Sequence, residues 1–431
     1  MGLESSLEDK RLLIVVENAD YRAVLGDLFM PDRLVAELSS RVSPVDVHIL
    51  TAAYQWGTQA QSVAIVSCQS EEEYSEASYL NIRLMGSGLS GERASQDMSR
   101  LVADFCPTHI VMCTPSLSVL RWAVRNRIST IVLLSEWQEP LGLRQRWQHN
   151  QLINLLNHPS VKWVGSHGVH ACRILKTSGV DARKLIPWEW PQPQLMEQYP
   201  PKQIRGDQSA INLAYAGPLE VSAGIEDLLR AMRELQKRGH RVSLQLMSES
   251  AGVPLLAAQN MARLRAQADQ LGLENAVTFW QGLSLEQMLE NVHGSDLTVI
   301  PRIAQSLSVI PFGLSLSMAA RTPVVACDYP YFVEHLFHGI NAMIFPAGNI
   351  YSMAHRIERI MGQPALYAQL SEASEIDFER LKVPARWAEL IDRWLQGGAY
   401  NRQRLRDFAL SSGRYQALTV LRDAVDTAIA M

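Results

Sequence analysis

The segment GSDLTVIPRIAQSLSVIPFGLSLSMAARTPVVACDYPYFVEHLFHGINAMIFPAGN, residues 294–349, decides the fold. It contains two short aliphatic runs, LTVI (297–300) and PVVAC (323–327), neither of which alternates with polar residues. A strand that is apolar on both sides is covered on both sides, the condition of a parallel sheet flanked by helices. Between the runs, Pro311-Phe312-Gly313-Leu314-Ser315 opens a helix that carries Met318. The segment therefore reads as one β-α-β unit.

The same rhythm extends in both directions. Upstream come NLAYA (212–216), VSLQLM (242–247) and VTFW (277–280), and earlier still LLIVV (12–16), VHIL (47–50), SVAIV (62–66), HIVMC (109–113) and TIVLL (130–134). We read all of these as strands. Ile225, Leu228, Leu229, Met232 and Leu235 recur at helical spacing, and Gly239 stops that helix before the next strand. Ser284 with Gln287 forms a capping box for another helix. The two series are separated by LIPWEWPQPQLMEQYPPKQIRGDQS (185–209), whose five prolines oppose a regular helix or a central strand. The expectation is an α/β protein of two Rossmann-like domains, 1–185 and 210–395, joined by a proline-rich linker at 186–209. Residues 396–431 are expected to be a helical tail crossing back toward the first domain.

Bulk composition narrows the function. A chain of 431 residues exceeds what one core usually supports, so two domains with a ligand site in a cleft are expected. Its 40 basic and 44 acidic residues nearly cancel, which gives no global field for nucleic acid and favours a small-molecule partner. The five cysteines lack CxxC spacing and read as reduced, mostly buried thiols. No apolar leader and no run long enough to span a bilayer is present, so a cytoplasmic protein is expected. A basic, aromatic stretch, with Arg121, Arg125, Arg127, Arg144 and Arg146 beside Trp122 and Trp147, reads first as a solvated face. Its second reading is peripheral contact at the inner face of the membrane, or a lipid-linked acceptor site. GxGxxG after the first strand and GxxxxGK[ST] anywhere are both absent, which argues against dinucleotide oxidoreductases and P-loop NTPases. No convergent set of metal ligands is legible.

Residues 294–349 resemble the donor-binding core of the retaining family 4 glycosyltransferases, which have the GT-B architecture. The matching positions are Asp296, Pro301, Pro311-Phe312-Gly313, Met318-Ala319-Ala320, Thr322 to Ala326, Glu334, Gly339, Asn341 and Pro346. Upstream, Gly217, Gly224 and the helix after them resemble the family's glycine-rich turn. The stretch ending at Gln281-Gly282-Leu283 resembles its nucleotide-base strand and loop. The resemblance implies transfer of a sugar from a nucleotide-sugar donor with retention, and no cofactor or metal. Diphosphate contacts would come from Gly217, Gly224, Arg302 and the stretch Phe312, Gly313, Leu314, Ser315. Arg321 and Glu334 would lie nearby. Such a ligand belongs beyond the carboxyl ends of parallel strands, where helix N-termini present their amides.

The family's ionic residues are missing. Pro218 and Ala223 stand where it carries an arginine and a lysine on the diphosphate. Counting back from Thr322 puts Ser308 and Leu316 at its two carboxylate positions, and counting forward from Phe312 puts Ile310 and Met318 there. Arg302, after the strand 297–300, and Arg321, where the family has glycine, are the replacement cations that the sequence offers. This erosion sets out an alternative, a catalytically inactive pseudo-glycosyltransferase acting as a binding or assembly subunit, with the helical tail meeting a protein partner. In the first half, Ser135-Glu136-Trp137 ends a strand, and Glu136 is the catalytic candidate, placed for a base or a sugar hydroxyl. His109 reads as a strand-end histidine, and Trp188 and Trp190 as packing anchors or sugar-stacking residues.

Overall fold

The structure is a computed structural model that describes residues 7–17, 20–22, 38, 44–77, 82–89, 98–134, 143–190, 199–204, 210–219, 221–248, 254–301, 312–329, 332, 336–381 and 383–415. The chain divides into two compact units. One comprises Met1–Pro191 with Val383–Tyr415, and the other Gln192–Lys382 with Gln416–Met431.

The N-terminal unit is built on β1 (Arg11–Val16), β2 (Ser62–Ser67), β3 (Glu73–Ala77), β4 (Ile82–Ser87), β5 (His109–Met112), β6 (Ser129–Leu134), β7 (Val161–His167) and β8 (Leu185–Trp188). They lie in the order β3-β4-β2-β1-β5-β6-β7-β8, all parallel except β3, which pairs antiparallel with β4. Its helices are α1 (Pro44–Gly57), α2 (Ser99–Phe105), α3 (Leu117–Arg125), α4 (Leu143–Leu156) and α5 (Gly168–Thr177).

The C-terminal unit carries β9 (Ala210–Ala216), β10 (Arg241–Ser248), β11 (Val277–Gln281), β12 (Leu297–Ile300), β13 (Val324–Cys327) and β14 (Met343–Phe345). Their order is β11-β10-β9-β12-β13-β14, all parallel. The helices are α6 (Ile225–Lys237), α7 (Pro254–Gln270), α8 (Leu285–Gly294), α9 (Phe312–Ala319), α10 (Ile350–Met361) and α11 (Pro364–Leu381). β12 and β13 are buried at every position, as their unbroken apolar runs require.

The structure departs from the sequence reading in three places. VHIL (47–50) is not a strand but part of α1, where Val47, Leu50, Ala53 and Trp56 fall at helical spacing on a buried face. The linker does not begin at 186: Leu185–Trp188 is strand β8, and Ile186 and Trp188 are fully buried. Pro187 is tolerated there because β8 is the edge strand of its sheet. The first stretch of the C-terminal unit ends at Lys382, not 395, and the return to the first unit begins at Val383 rather than 396, while residues 416–431 of the expected tail lie outside the described residues. Two helices make that return, α12 (Trp387–Gln396) and α13 (Gly398–Asp407).

The return is anchored by aromatic packing. The Trp190 ring lies 5.2 Å from Trp387 and 4.9 Å from Trp188, and Trp56 lies 5.8 Å from Trp387. The Trp56 indole donates to Asp392 at 2.6 Å. Beside this cluster Glu189, 1% exposed, accepts a hydrogen bond from Arg386 at 3.1 Å. Burial outweighs that cation and pushes the Glu189 carboxyl up to about 7. Trp188 and Trp190 are therefore packing residues of the N-terminal unit.

Candidate active site

Each sheet has a point where the strand order reverses, and ligands of open parallel sheets sit at the carboxyl ends of the strands there. In the C-terminal unit the reversal lies between β9 and β12. The chain leaves β9 through Gly217, whose amide donates to the Met247 carbonyl at 3.0 Å, and the Tyr215 hydroxyl closes the turn on the Pro218 carbonyl at 2.7 Å. Gly224 then caps α6 at a left-handed φ of 72°. Its own amide donates to the Val221 carbonyl. Gly217 and Gly224 thus shape the turn with their own amides engaged on backbone carbonyls.

The second wall is the start of α9. A Cβ added at Gly313 would lie 2.4 Å from the Ala216 carbonyl oxygen, so only glycine lets this helix start abut the end of β9. The first turn of a helix has N–H groups without intrahelical acceptors and carries the positive end of the dipole. The contact therefore sets an anion-favouring helix terminus at the reversal point. Leu314 is fully buried and Ser315 nearly so, so Leu314 acts through its backbone and its place in the core. The Ser317 hydroxyl donates to the Gly313 carbonyl at 2.5 Å. Leu316 and Met318, the positions that the two alignments give to a carboxylate, are both core residues.

The loop expected on the base side follows β11. Gln281 and Gly282 are exposed, Leu283 is half-buried against the core, and Ser284 with Gln287 completes the capping box of α8. β10 separates β11 from β9, so two strand spacings, roughly 10 Å, lie between this loop and Gly217. That span suits a nucleoside between its base and its diphosphate. The acidic residues at the start of α6 are neutralised locally, Glu226 by Arg263 and Arg230, Asp227 by Arg230 at 2.8 Å.

Arg321 does not join this site. It follows α9 at the opposite edge of the sheet, just before β13, where it is 6% exposed and reaches the Glu372 carbonyl. Its φ is +56°, which explains why the similar family places glycine there. Gly339 and Asn341 form the turn leading to β14, where the Asn341 side chain accepts from the Phe337 amide at 2.6 Å. Arg302, Glu334 and Glu136 lie outside the described residues, as does the side chain of Phe312.

The N-terminal sheet reverses between β1 and β5. A cavity of about 780 Å³ opens at the carboxyl ends there, lined by Glu17 after β1, Cys68 and Gln69 after β2, and Thr114 to Ser118 after β5, with Arg121, Arg125 and Trp147 on the helices above. Sequence reasoning passed over Glu17, although its place one residue beyond the run LLIVV marked it as a strand-end carboxylate. Burial pushes the Cys68 thiol up to about 12, which removes it as a nucleophile. His109 begins β5 at the far edge, stacks edge-on against Trp394 and is held down to about 4 by burial. Among the described residues no group of three metal-ligating side chains occurs, and no helix is long and apolar enough to cross a membrane.

Comparison with known proteins places this geometry. Residues 201–377 match the family described as glycosyl transferases group 1. The chain is 24% identical over 208 residues to the D-inositol 3-phosphate glycosyltransferase of Mycolicibacterium smegmatis, a match covering 47% of this chain and 44% of that protein. It is 31% identical over 137 residues to the exopolysaccharide phosphotransferase SCO2592 of Streptomyces coelicolor, covering 30% of this chain and 14% of that one. The matches thus span less than half the length of these relatives. Among solved structures, Anabaena HepE in complex with UDP superposes with a TM-score of 0.58 at 13% identity, over 86% of this chain and 95% of that chain.

Proposed function

We propose that the protein, a GT-B fold whose residues 201–377 match the family described as glycosyl transferases group 1, transfers a sugar from a nucleotide sugar, with retention, to an acceptor. The donor would sit on the C-terminal unit, its diphosphate at the start of α9 and its base beside Gln281–Leu283. The observation that carries this reading is the close approach of Gly313 to the Ala216 carbonyl, which sets the helix terminus at the sheet's reversal point. Negative charge grows on the departing diphosphate in glycosyl transfer, and preorganised donors aimed at it lower the barrier most. Backbone amides supply part of that work here, and Arg302, one residue beyond Pro301 at the end of β12, supplies the cation that Pro218 and Ala223 do not. The acceptor would occupy the cavity lined by Glu17, with Glu17 or Glu136 taking the hydroxyl proton.

The test is to incubate the purified chain with UDP-, GDP- and ADP-sugars, measuring nucleotide release beside calorimetric binding. The expected result is binding and release with one donor class, and an affinity weakened by ~1.5–3 kcal/mol in Arg302→Ala, the scale of a hydrogen bond to a charged group. The core positions of Leu316 and Met318, which leave α9 without a carboxylate there, favour a second reading as a binding or assembly subunit. Absence of binding and turnover, with stable capture of a protein through the tail, would establish that reading.

A further inference from the structure

The N-terminal unit has a second cavity, of about 570 Å³, at the opposite edge of its sheet. Its floor is formed where strands begin: Lys10 precedes β1, His109 opens β5, Ser129 opens β6, and Lys162 and Trp163 lie in β7. Its roof runs from Arg393, near the end of α12, through Gly397 and Gly398 to Arg402 and Arg406 on α13. Five lining residues are lysine or arginine and none is acidic.

Those cations are unequally committed. Lys10 is buried and donates to the Leu395 carbonyl, which ties the last turn of α12 to the start of β1. Arg393 pairs with Glu389 at 2.8 Å, and Lys162 donates to the Pro159 carbonyl at 2.9 Å. Arg402 and Arg406 stand exposed one turn apart, and neither forms an ion pair with a described residue. Like charges gathered around a concavity without a counterion destabilise it, and an anion in the cavity relieves that repulsion. The start of α13 adds its dipole, since no side chain caps it. Trp163 and Trp394 add aromatic surface beside the charges. The volume lies in the range of small-molecule pockets rather than of a single ion.

We propose that this cavity binds a phosphate-bearing organic ligand, with Arg402 and Arg406 on the phosphate and Trp163 and Trp394 beside its organic part. The site is distinct from the donor and acceptor regions. It lies at the amino ends of β1, β5, β6 and β7, whereas the Glu17 cavity opens at the carboxyl ends of β1, β2 and β5, so it stands or falls independently of the proposed transfer reaction.

The test compares the full chain with Arg402→Gln/Arg406→Gln and with a control pair of equal charge change on the C-terminal unit, Arg233→Gln/Arg359→Gln. Each is titrated calorimetrically with inorganic pyrophosphate, and each is sedimented with phosphatidylcholine vesicles containing or lacking a phosphoinositide. The proposal predicts pyrophosphate binding weakened at least tenfold in the cavity pair and unchanged in the control pair. Vesicle binding lost only in the cavity pair, and competed by pyrophosphate, identifies a lipid headgroup as the source; pyrophosphate binding without vesicle binding identifies a soluble phosphate ester. Equal weakening in both pairs, or no binding of pyrophosphate or vesicles by the full chain, overturns it.

Discussion

Replacing Gly313 by alanine tests the proposed donor site at its narrowest point. The added Cβ would stand 2.4 Å from the Ala216 carbonyl oxygen, about 1 Å inside ordinary contact. The obstacle is backbone, so no rotamer change relieves it, and α9 must back away from β9. Overpacking of this kind costs about 1–3 kcal/mol. Alanine also removes the unfolded-state freedom of glycine and favours helix by about 1 kcal/mol, which offsets part of the clash. We expect a net loss of about 1 kcal/mol, or ~2–4 °C in Tm for a unit of this size. Donor affinity should fall further, because the amides at the start of α9 move with the helix. Gly294→Ala is the control: Gly294 ends α8, is exposed, and has nothing within 4 Å of an added Cβ. It should be neutral or slightly stabilising. Thermal melts and calorimetric titration of the bound nucleotide read both effects. Gly313→Ala with wild-type Tm and wild-type affinity would refute the close approach and the site built on it.

Other expectations follow from the same geometry. Glu189 is raised in the folded state to about 7, so its contribution is fully present below the ordinary carboxylate pKa and is lost as pH rises through about 7. The shift corresponds to about 3 kcal/mol. Glu189→Gln should therefore flatten the fall in N-terminal-unit stability between pH 5 and pH 8, which melts at the two pH values will show; an unchanged slope would contradict the assignment. Trp188→Ala empties a fully buried indole site and should cost about 3–5 kcal/mol, read by chemical denaturation. Glu17→Gln should lower acceptor-dependent turnover by roughly 10²–10⁴ if Glu17 is the base, with donor affinity unchanged.

How much of this was legible in the sequence follows from burial. β12 and β13 are enclosed by the core, and such strands announce themselves as unbroken aliphatic runs. β3, with only Tyr74 buried among five residues, is an edge strand whose sequence EYSEA carries no such signal. The run VHIL was ambiguous because four residues with three aliphatic side chains fit a strand or one turn of helix equally well. The prolines of 185–209 marked the inter-unit crossing but set its start too early, since proline excludes central strands and not an edge strand such as β8. Gly224 was legible as a turn glycine because its left-handed backbone is a local constraint, whereas the approach of Gly313 to the Ala216 carbonyl is a tertiary contact that no local pattern marks. The misplacement of Arg321 was not legible either: a basic residue after a helix reads alike whether it meets a ligand or ends the helix in a left-handed conformation at the sheet's other edge.

The most direct test of the central claim is amide hydrogen exchange with and without the nucleotide sugar that calorimetry identifies. The account predicts slowed exchange at 216–219, 281–285 and 312–316, the three stretches at the carboxyl edge of the C-terminal sheet. A bound nucleotide sugar that protects only the N-terminal unit, or leaves residues 312–316 exchanging at their free rates, would contradict it.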